Sequence, residues 1–477
     1  MSSYTLNNTA LDKNKVFILQ KSKIEKRFDP FYYLPELLEL EKKISDKNPT
    51  KLRDYVEKIA SGATPKTVET EKYYAEKENG IPFLRVQNLS PTGVLEYDEC
   101  KYINKETHNG MLKRSQVSEG DLLVKITGVG RMAVASVAPK NFEGNINQHV
   151  CVIKTGNTFI SETLAAFLNT DIGEKLASRR STGGTRPALD YPALLSIPII
   201  ENIKIVEITE KVIKQKQQNE AEAEKLLASI DTFLLKELGI TLPTQEENTL
   251  KSRMFLKTFK DISGRRYDPN YFSNEFKVLD NLFVKHKPIK LGEISIQISD
   301  APHERPEFSE SEDIRVIMIE HLKPEGIQKT KEKYITEKYH LKLKSTILEK
   351  DDLLMARIGV TTGVTSIVDD FFVGKNISGN ITLIRLNHSK IYANFVLEYL
   401  NSYLGRLYSK RILSNSARDF LTVGKIKSIE IPVLPIEKQI EIANYITQIR
   451  EQAQALKDKT KIALKQANEE IENLLLN

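Results

Sequence analysis

The sequence predicts an α+β fold in which a mixed domain of helices and strands occurs twice in tandem, each copy followed by a long helix. Three observations support this prediction. The first is an internal repeat that covers most of the chain, the second is a set of short strand-like runs, and the third is a pair of long segments without proline or glycine. A chain of 477 residues is long enough for such an arrangement.

The repeat is visible in three pairs of segments that keep the same order along the chain. KRFDPFYY at 26–33 returns as RRYDPNYF at 265–272, GDLLVKITGVG at 120–130 as DDLLMARIGVT at 351–361, and FLNTDIGEKL at 167–176 as YLNSYLGRLY at 399–408. The offset drifts from 239 to 231 residues, as small loop insertions would cause. Repeat units of this size indicate two globular domains, because solenoid repeats are much shorter.

Each copy shows the same order of predicted elements. Short runs rich in valine and isoleucine predict strands: IPFLRV, DLLVKI, MAVASVA and HVCVIKT in the first copy, and IRVIMI, DLLMARI, VTSIV and ITLIRL in the second. An amphipathic helix follows, because Leu164, Leu168, Ile172 and Leu176 recur every four residues. A short helix is also expected before the first strand, over about 34–44.

Two long helices are predicted, from about Ile203 to Leu238 and from about Ile436 to Leu476. At about 1.5 Å per residue they would span on the order of 50–60 Å. We expect them to pack as an antiparallel coiled-coil spacer that separates two heads, although two helices folded onto their own domains would satisfy the same pattern. The resulting divisions are 1–200, 201–242, 243–435 and 436–477.

Composition excludes several protein classes. The 2 cysteines are too few for a disulfide scaffold or zinc ribbon, and no HxxxH pair indicates a metal site. No apolar run is long enough to span a membrane, and the N-terminus lacks a signal-peptide pattern, so we expect a cytoplasmic protein. The formal net charge of +6 permits nucleic-acid binding without requiring it.

No catalytic motif is convincing. The sequence lacks a phosphate-binding GxxxxGK[ST] loop, GxSxG and HExxH. FDPFYY is distantly similar to the [DN]-P-P-[FY] motif of amino-methyltransferases, but the second proline is missing in both copies, around Asp29 and Asp268. We favour a structural interpretation, in which the aromatic residues pack and Asp-Pro shapes a turn before a helix.

The polar segments at strand and helix ends predict a nucleic-acid interface. Arginine, asparagine and glutamine can pair with base edges, and small residues allow close approach to phosphates. The alternative is that such residues are ordinary solvated strand ends and helix C-termini. The candidate contacts are Arg85, Gln87, Asn88, Lys125, Arg131, Gln148, His149, Arg179, Arg180, Thr182, Thr185 and Arg186 in the first copy, and Glu320, His321, Lys323, Arg357, Thr361, Thr362, Asn376, Arg411, Ser414, Ser416 and Arg418 in the second.

Four segments of the sequence together resemble the specificity subunit of type I restriction-modification systems. The resemblance rests on IPFLRVQNL, GDLLVKITG, GGTRPALDYPALLSIPI and LPIEKQIEIANYI, and it extends over essentially the whole chain. It implies two target-recognition domains, each reading one half of a split double-stranded DNA site, and two conserved helices that set the gap between the half-sites.

The resemblance also implies partners and assigns the chemistry to them. Two methyltransferase subunits would dock on the helices, and restriction subunits would join them; S-adenosylmethionine, ATP and Mg would bind in those partners and not in this chain. The specificity subunit itself would be non-catalytic. The remaining alternatives are a non-catalytic scaffold or regulator built on the same fold, and a self-contained methyltransferase or nuclease.

Overall fold

A computed structural model gives the fold. It describes residues 12, 14–25, 27–97, 99–242, 249, 254, 256–263, 269–302, 306–311, 314–330, 332–413 and 420–476. The chain divides into two compact units, the first formed by 1–219 with 458–477 and the second by 220–457.

The helices and strands follow the predicted order. The helices are α1 Pro35–Ser45, α2 Thr70–Tyr73, α3 Lys105–Asn109, α4 Thr158–Leu168, α5 Asp171–Arg180, α6 Tyr191–Leu195, α7 Ile203–Glu237, α8 Phe259–Ile262, α9 Lys277–Lys285, α10 Glu337–Lys342, α11 Ala393–Asn401, α12 Tyr403–Ile412, α13 Val423–Lys427 and α14 Ile436–Leu476.

The strands of the first unit are β1 Thr50–Lys51, β2 Lys58–Ser61, β3 Ile81–Leu84, β4 Lys101–Ile103, β5 Gln116–Ser118, β6 Leu122–Lys125, β7 Ala135–Val137, β8 Glu143–Ile146, β9 Val150–Lys154 and β10 Pro198–Ile199. Those of the second are β11 Pro288–Lys290, β12 Ser295–Asp300, β13 Phe308–Ser309, β14 Ile314–Ile317, β15 Leu322–Lys323, β16 Gly326–Ile327, β17 Tyr334–Ile335, β18 Leu353–Ala356, β19 Thr365–Ile367, β20 Asn376–Ile377, β21 Ile381–Leu386 and β22 Glu430–Pro432. Each strand predicted from the repeated strings is present.

Each unit contains two four-stranded sheets: one has the same topology in both units, and the other shares three strands, the fourth being β5 beside β8 in the first unit and β13 beside β17 in the second. In the first unit the orders are β2-β9-β6-β7, all antiparallel, and β4-β3-β8-β5, in which β3 and β8 run parallel. In the second unit they are β12-β21-β18-β19 and β13-β17-β14-β20, in which β14 and β20 run parallel. Every residue of β6 and of β18 is buried, which explains why both strands are apolar except for Lys125 at the end of β6.

The predicted single amphipathic helix is wrong in both copies, because the chain turns after α4 and again after α11. The Thr170 hydroxyl accepts a hydrogen bond from the Gly173 amide at 2.9 Å and starts α5. Ser402 does the same for Gly405 at 3.3 Å and starts α12. The apolar stripe with a spacing of four survives this break because both helices of each pair pack on the same core.

A buried asparagine holds each break against the sheet. The Asn169 side chain accepts from the Ala135 amide at 3.0 Å and donates to its carbonyl at 2.8 Å. Asn401 makes the same two bonds to Thr365, at 3.0 and 2.8 Å. The side chain therefore acts as an additional partner for the edge strand β7 or β19.

Replacing Asn169 by alanine is expected to lower the free energy of unfolding of the first unit by about 2–4 kcal/mol, because a buried amide and carbonyl both lose their partner. Amide hydrogen exchange followed by mass spectrometry measures this, with Asn401→Ala as the matched variant in the second unit. Exchange in β7 that stays as slow as in the unaltered chain would contradict the assigned role.

The two long helices run antiparallel where they meet. In the first unit the Asn219 side chain donates to the Thr460 hydroxyl at 3.0 Å, and Ile205 shares a buried core with Ile471. In the second unit the Phe233 and Tyr445 rings pack with centroids 4.2 Å apart. The partner's residue number falls as that of α7 rises, as the sequence predicts.

Candidate nucleic-acid interface

In the first unit three loops meet at one end of the β2-β9-β6-β7 sheet. They are 126–131 after β6, 147–149 before β9, and 181–188 after α5. The Gly128 amide donates to the Pro187 carbonyl at 3.0 Å, and the Ile126 amide donates to the His149 carbonyl at 3.0 Å. We call these three loops the first loop face, and the bonds between them make it one continuous surface.

Polar side chains from separate parts of the chain meet on the first loop face. Arg186 Nη2 lies 3.4 Å from His149 Nε2, and Gln148 Nε2 lies 3.3 Å from the same nitrogen. The Thr64 hydroxyl bonds Gln148 Oε1. Burial and the neighbouring Arg186 charge lower the pKa of His149, so its imidazole is neutral at neutral pH.

Two further predicted contacts, Thr182 and Thr185, are exposed on the same face. The backbone of Thr182 pairs with Ala188 in both directions, at 2.8 and 2.7 Å, which closes the base of the 181–188 loop. The Ser181 hydroxyl donates to the Ser178 carbonyl at 2.8 Å, so the Thr185 hydroxyl and the Arg186 guanidinium are the groups of this loop that a ligand can reach on a fixed support.

Lys125 does not reach the surface, contrary to the sequence-based prediction of a DNA contact. It is 4% exposed, and its ammonium donates to the carbonyls of Val129 and Arg131 at 2.8 and 2.9 Å. Burial lowers its pKa. Its role is to hold the 126–131 loop in shape.

Replacing Lys125 by methionine is expected to speed amide exchange within 126–131 by about tenfold or more, because the loop loses two anchoring bonds worth roughly 1 kcal/mol each. Lys58→Met is the control, since Lys58 is exposed at the far end of β2. Equal exchange in the two variants would show that the loop does not depend on Lys125.

Arg179 and Arg180 also lie inside the fold, so the prediction that they contact DNA is wrong. Arg179 is 5% exposed, with its guanidinium 4.0 Å from the centre of the Tyr32 ring and bonded to the Tyr32 carbonyl at 3.0 Å. Both arginines pair with the Glu41 carboxylate. This cluster, the first arginine clamp, fixes the end of α5 to the KRFDPFYY segment, where Asp29 accepts from the Tyr32 amide at 3.1 Å and caps a short turn.

The remaining first-copy candidates are mostly engaged within the fold. Asn88 is buried and accepts from the Arg85 amide at 2.8 Å, so it shapes a turn and has no surface for DNA. Arg131 pairs with Asp171 at 2.7 Å. Arg85 is half-buried, with its Nε lacking a hydrogen-bond partner, and Gln87 is exposed.

The second unit has an equivalent loop face around 357–364. The Arg357 carbonyl accepts a hydrogen bond from the Leu421 amide at 3.0 Å. In the first unit the Ile126 carbonyl accepts the equivalent bond from the Leu189 amide at 2.8 Å. The Arg357 side chain is 2% exposed, paired with Asp300 and stacked on Phe420, so its predicted DNA contact is corrected. Thr361 and Thr362 are half-buried in this loop.

Arg411 forms a second arginine clamp that repeats the first. It is 5% exposed, lies 4.5 Å from the centre of the Tyr271 ring, and pairs with Asp280 at 2.8 Å. Its predicted contact with DNA is corrected for the same reason as that of Arg179. The candidates Ser414, Ser416 and Arg418 lie outside the described residues.

Two other second-copy candidates are buried. Asn376 is fully enclosed and pairs with His340, and His321 accepts from the Met318 amide at 3.1 Å, so neither presents its side chain to DNA. Glu320 is exposed and 3.7 Å from Lys333, and Lys323 is half-buried.

Sequence reasoning missed the apolar tips of the two loop faces. Val129 is 78% exposed, and Val360, at the same place in the second copy, is also exposed. Each follows a glycine with positive φ, Gly128 at 124° and Gly359 at 83°. An exposed apolar group can contact the methyl group of thymine. The aligned valines were the available signal, but an apolar residue in a loop is not distinctive in sequence.

Within the described ranges, no three histidine, cysteine, aspartate or glutamate side chains are grouped closely enough to hold a metal ion. None of the described helices is both long and apolar enough to cross a membrane.

Residues 284–466 match the family described as the type I restriction modification DNA specificity domain, and the resemblance seen in the sequence is confirmed for this segment. No curated protein matches the chain. Among solved structures, the chain is similar to the type I S subunit from M. genitalium, with 12% identity, 90% of this chain and 94% of that chain covered, and a TM-score of 0.40.

A second similar structure belongs to a study of type I complex assembly and conformational transition, with 15% identity, 90% and 95% coverage, and a TM-score of 0.42. A third is the HsdS subunit from Thermoanaerobacter tengcongensis, with 14% identity, 90% and 94% coverage, and a TM-score of 0.31.

Proposed function

Because residues 284–466 match the family model of the type I restriction modification DNA specificity domain, we propose that the whole chain is the specificity subunit of such a complex. Each unit reads one half of a split double-stranded DNA site. The chain is non-catalytic, and the observation that supports this function most strongly is a shared framework that carries different loop side chains in the two units.

The shared framework is the set of buried bonds that recur in both units. Asn169 and Asn401 hold the edge strands, and the ion pair of Lys154 with Asp121 returns as Arg385 with Asp352. These pairs fix the same loops in the same places. The chain therefore has one scaffold used twice.

The loop faces carry different side chains on that scaffold. In the loop before β9 the first presents Gln148 and His149, where the second has Gly379 and Asn380 before β21; in the loop after β6 the first has Gly130 and Arg131, where the second has Thr361 and Thr362 after β18. Because hydrogen-bond donors and acceptors on side chains determine which base edge is read, two such faces would read two different half-sites. Contacts from lysine and arginine to phosphates would supply the salt-dependent part of the affinity.

Partner subunits carry out the chemistry. Two methyltransferase subunits dock on α7 and α14, and restriction subunits join them. S-adenosylmethionine, ATP and Mg bind in those partners, and the complex works in the cytoplasm. The exposed apolar side chains Ile203, Ile440 and Ile462 support docking on these helices, because they are available to a partner helix.

A DNA-binding titration with the modification subunit, in the presence and absence of this chain, tests the proposal. We expect affinity for DNA that contains the target site to require this chain, and to fall with salt at a logarithmic slope of about −0.9 per phosphate contact. A pure scaffold or regulator would add no sequence-dependent affinity. Binding of S-adenosylmethionine by the isolated chain would instead favour a self-contained methyltransferase.

A further inference from the structure

Arg186 differs from the other arginines near the first loop face. Arg131, Arg179 and Arg180 each pair with a carboxylate, whereas no ion pair of Arg186 occurs among the residues that the structure describes. Its side chain is exposed. The guanidinium of Arg186 therefore keeps hydrogen-bond donors for a ligand, while the other three are used within the fold.

The backbone holds Arg186 at a fixed place. The loop closes through the two Thr182–Ala188 bonds, and it is tied to the neighbouring loop by the bond from Gly128 to Pro187. Gly183 turns the chain with φ of 96°, a conformation that other residues rarely adopt. A side chain that extends from so constrained a loop loses less entropy when it binds.

His149 contacts the guanidinium and favours one orientation of it. Arginine has only donors, so in the 3.4 Å contact Arg186 Nη2 donates and His149 Nε2 accepts. Only a neutral imidazole can accept, and the lowered pKa of His149 agrees with that state. The Gln148 amide N–H, 3.3 Å from the same nitrogen, shares its single lone pair with Arg186, and the Gln148 amide oxygen is oriented by Thr64.

The contact between Arg186 and His149 leaves one edge of the guanidinium, with two parallel N–H groups, free to bind a ligand. The Nη2 group has two hydrogens, one on the edge shared with Nη1 and one on the edge shared with Nε. Whichever hydrogen His149 accepts, the other edge still presents two parallel N–H groups. Two parallel donors match the O6 and N7 acceptors of guanine in the major groove.

We propose that Arg186 reads a guanine of the first half-site and that neutral His149 is its positioning residue. This inference rests on the proposed function, and deepens it by assigning one base to one residue. Phosphate binding is the other chemistry open to an exposed arginine, and it would be indifferent to sequence.

The test uses the complete complex with its modification subunits, and measures methylation of DNA libraries in which each position of the target is randomised. Arg186→Gln is expected to lower the preference for guanine at one position of one half-site by about 10- to 100-fold, and to leave the other half-site unchanged. Arg186→Lys keeps the charge but replaces two parallel N–H donors by one ammonium group, so it should weaken the same preference while retaining part of it. Lys58→Gln removes an exposed charge at the far end of β2, and should change no position.

His149 is tested by rescue. His149→Leu cannot accept from Arg186 and should weaken the same guanine preference, whereas His149→Gln offers an amide oxygen and should restore most of it. A purely structural histidine would give equal results for the two variants. Equal results, or a uniform loss of affinity for all sequences in Arg186→Gln, would overturn the inference. If the unaltered complex methylates no split site, the proposed function itself fails, and the inference fails with it.

Discussion

Replacing Glu41 by alanine is expected to destabilise the first unit by about 3–5 kcal/mol, one of the two largest effects of a single substitution that the structure implies. Glu41 is the shared carboxylate of the first arginine clamp, and its loss leaves both Arg179 and Arg180 without a counter-ion in a largely buried position. Breaking a buried pair by removing one partner costs far more than a surface ion pair is worth.

Hydrogen exchange across the chain measures this loss unit by unit, which a single melting temperature cannot do for a protein of two units. Glu39→Ala is the matched control, because Glu39 lies on the same helix and makes only an exposed pair with Lys43. Asp280→Ala should cost less than Glu41→Ala, since the Asp280 side chain is 43% exposed and that of Glu41 is 22% exposed. Normal stability together with weaker DNA binding would restore Arg179 as a DNA contact.

The second large effect is expected at Glu398, which is buried in the second unit. Its carboxylate accepts two or more bonds from Arg450, the shortest at 2.7 Å, and so joins α11 to α14. Replacing Arg450 by methionine should destabilise this unit by about 3–5 kcal/mol, because the carboxylate remains buried without its partner.

The first unit provides a natural comparison for this pair. Its corresponding cleft, of about 910 Å³, has Ala166 in the place of Glu398, whereas the cleft beside Glu398 and Arg450 measures about 390 Å³. The double variant Glu398→Ala with Arg450→Met should therefore be more stable than either Glu398→Ala or Arg450→Met alone. A cost equal to the sum of the two single variants would show that the residues do not act as a pair.

The stability of Arg450→Met should also depend on pH. Burial already raises the pKa of Glu398, and the Arg450 charge opposes that rise. Without the arginine, the pKa of the folded carboxyl rises further above its unfolded value near 4.5, so the folded state binds a proton more tightly than the unfolded one. The free energy of unfolding that Arg450→Met loses relative to the unaltered chain should therefore become smaller as the pH falls from 7 towards 5. Urea unfolding at each pH would measure this.

The repeat was the part of the fold that the sequence predicted well. Strands and long helices could be located because apolar periodicity is local, and because each copy provided a check on the other. The break at Thr170 was missed, since the stripe of apolar residues continues across it, and a hydroxyl that caps a helix looks like any other threonine until the helix bounds are known.

The interface residues were predicted less well, for a physical reason. An arginine at a helix end is easily interpreted as a DNA contact from the local sequence. Arg179 instead binds Tyr32 and Glu41, which lie more than 130 residues earlier in the chain. A signal was nevertheless present. Tyr32 and Glu41 recur as Tyr271 and Asp280 at the same offset of 239, so the partners of the arginine were repeated together with it.

The most direct test of the proposed function is to co-express the chain with its modification subunits and to map the methylated bases of the host DNA by single-molecule sequencing. The two-unit account predicts one split motif with two different half-sites, one altered by substitutions in the first loop face and the other by substitutions in the second. Two results would contradict this function: a complex that assembles but methylates no motif, and a complex that methylates a continuous motif without a gap.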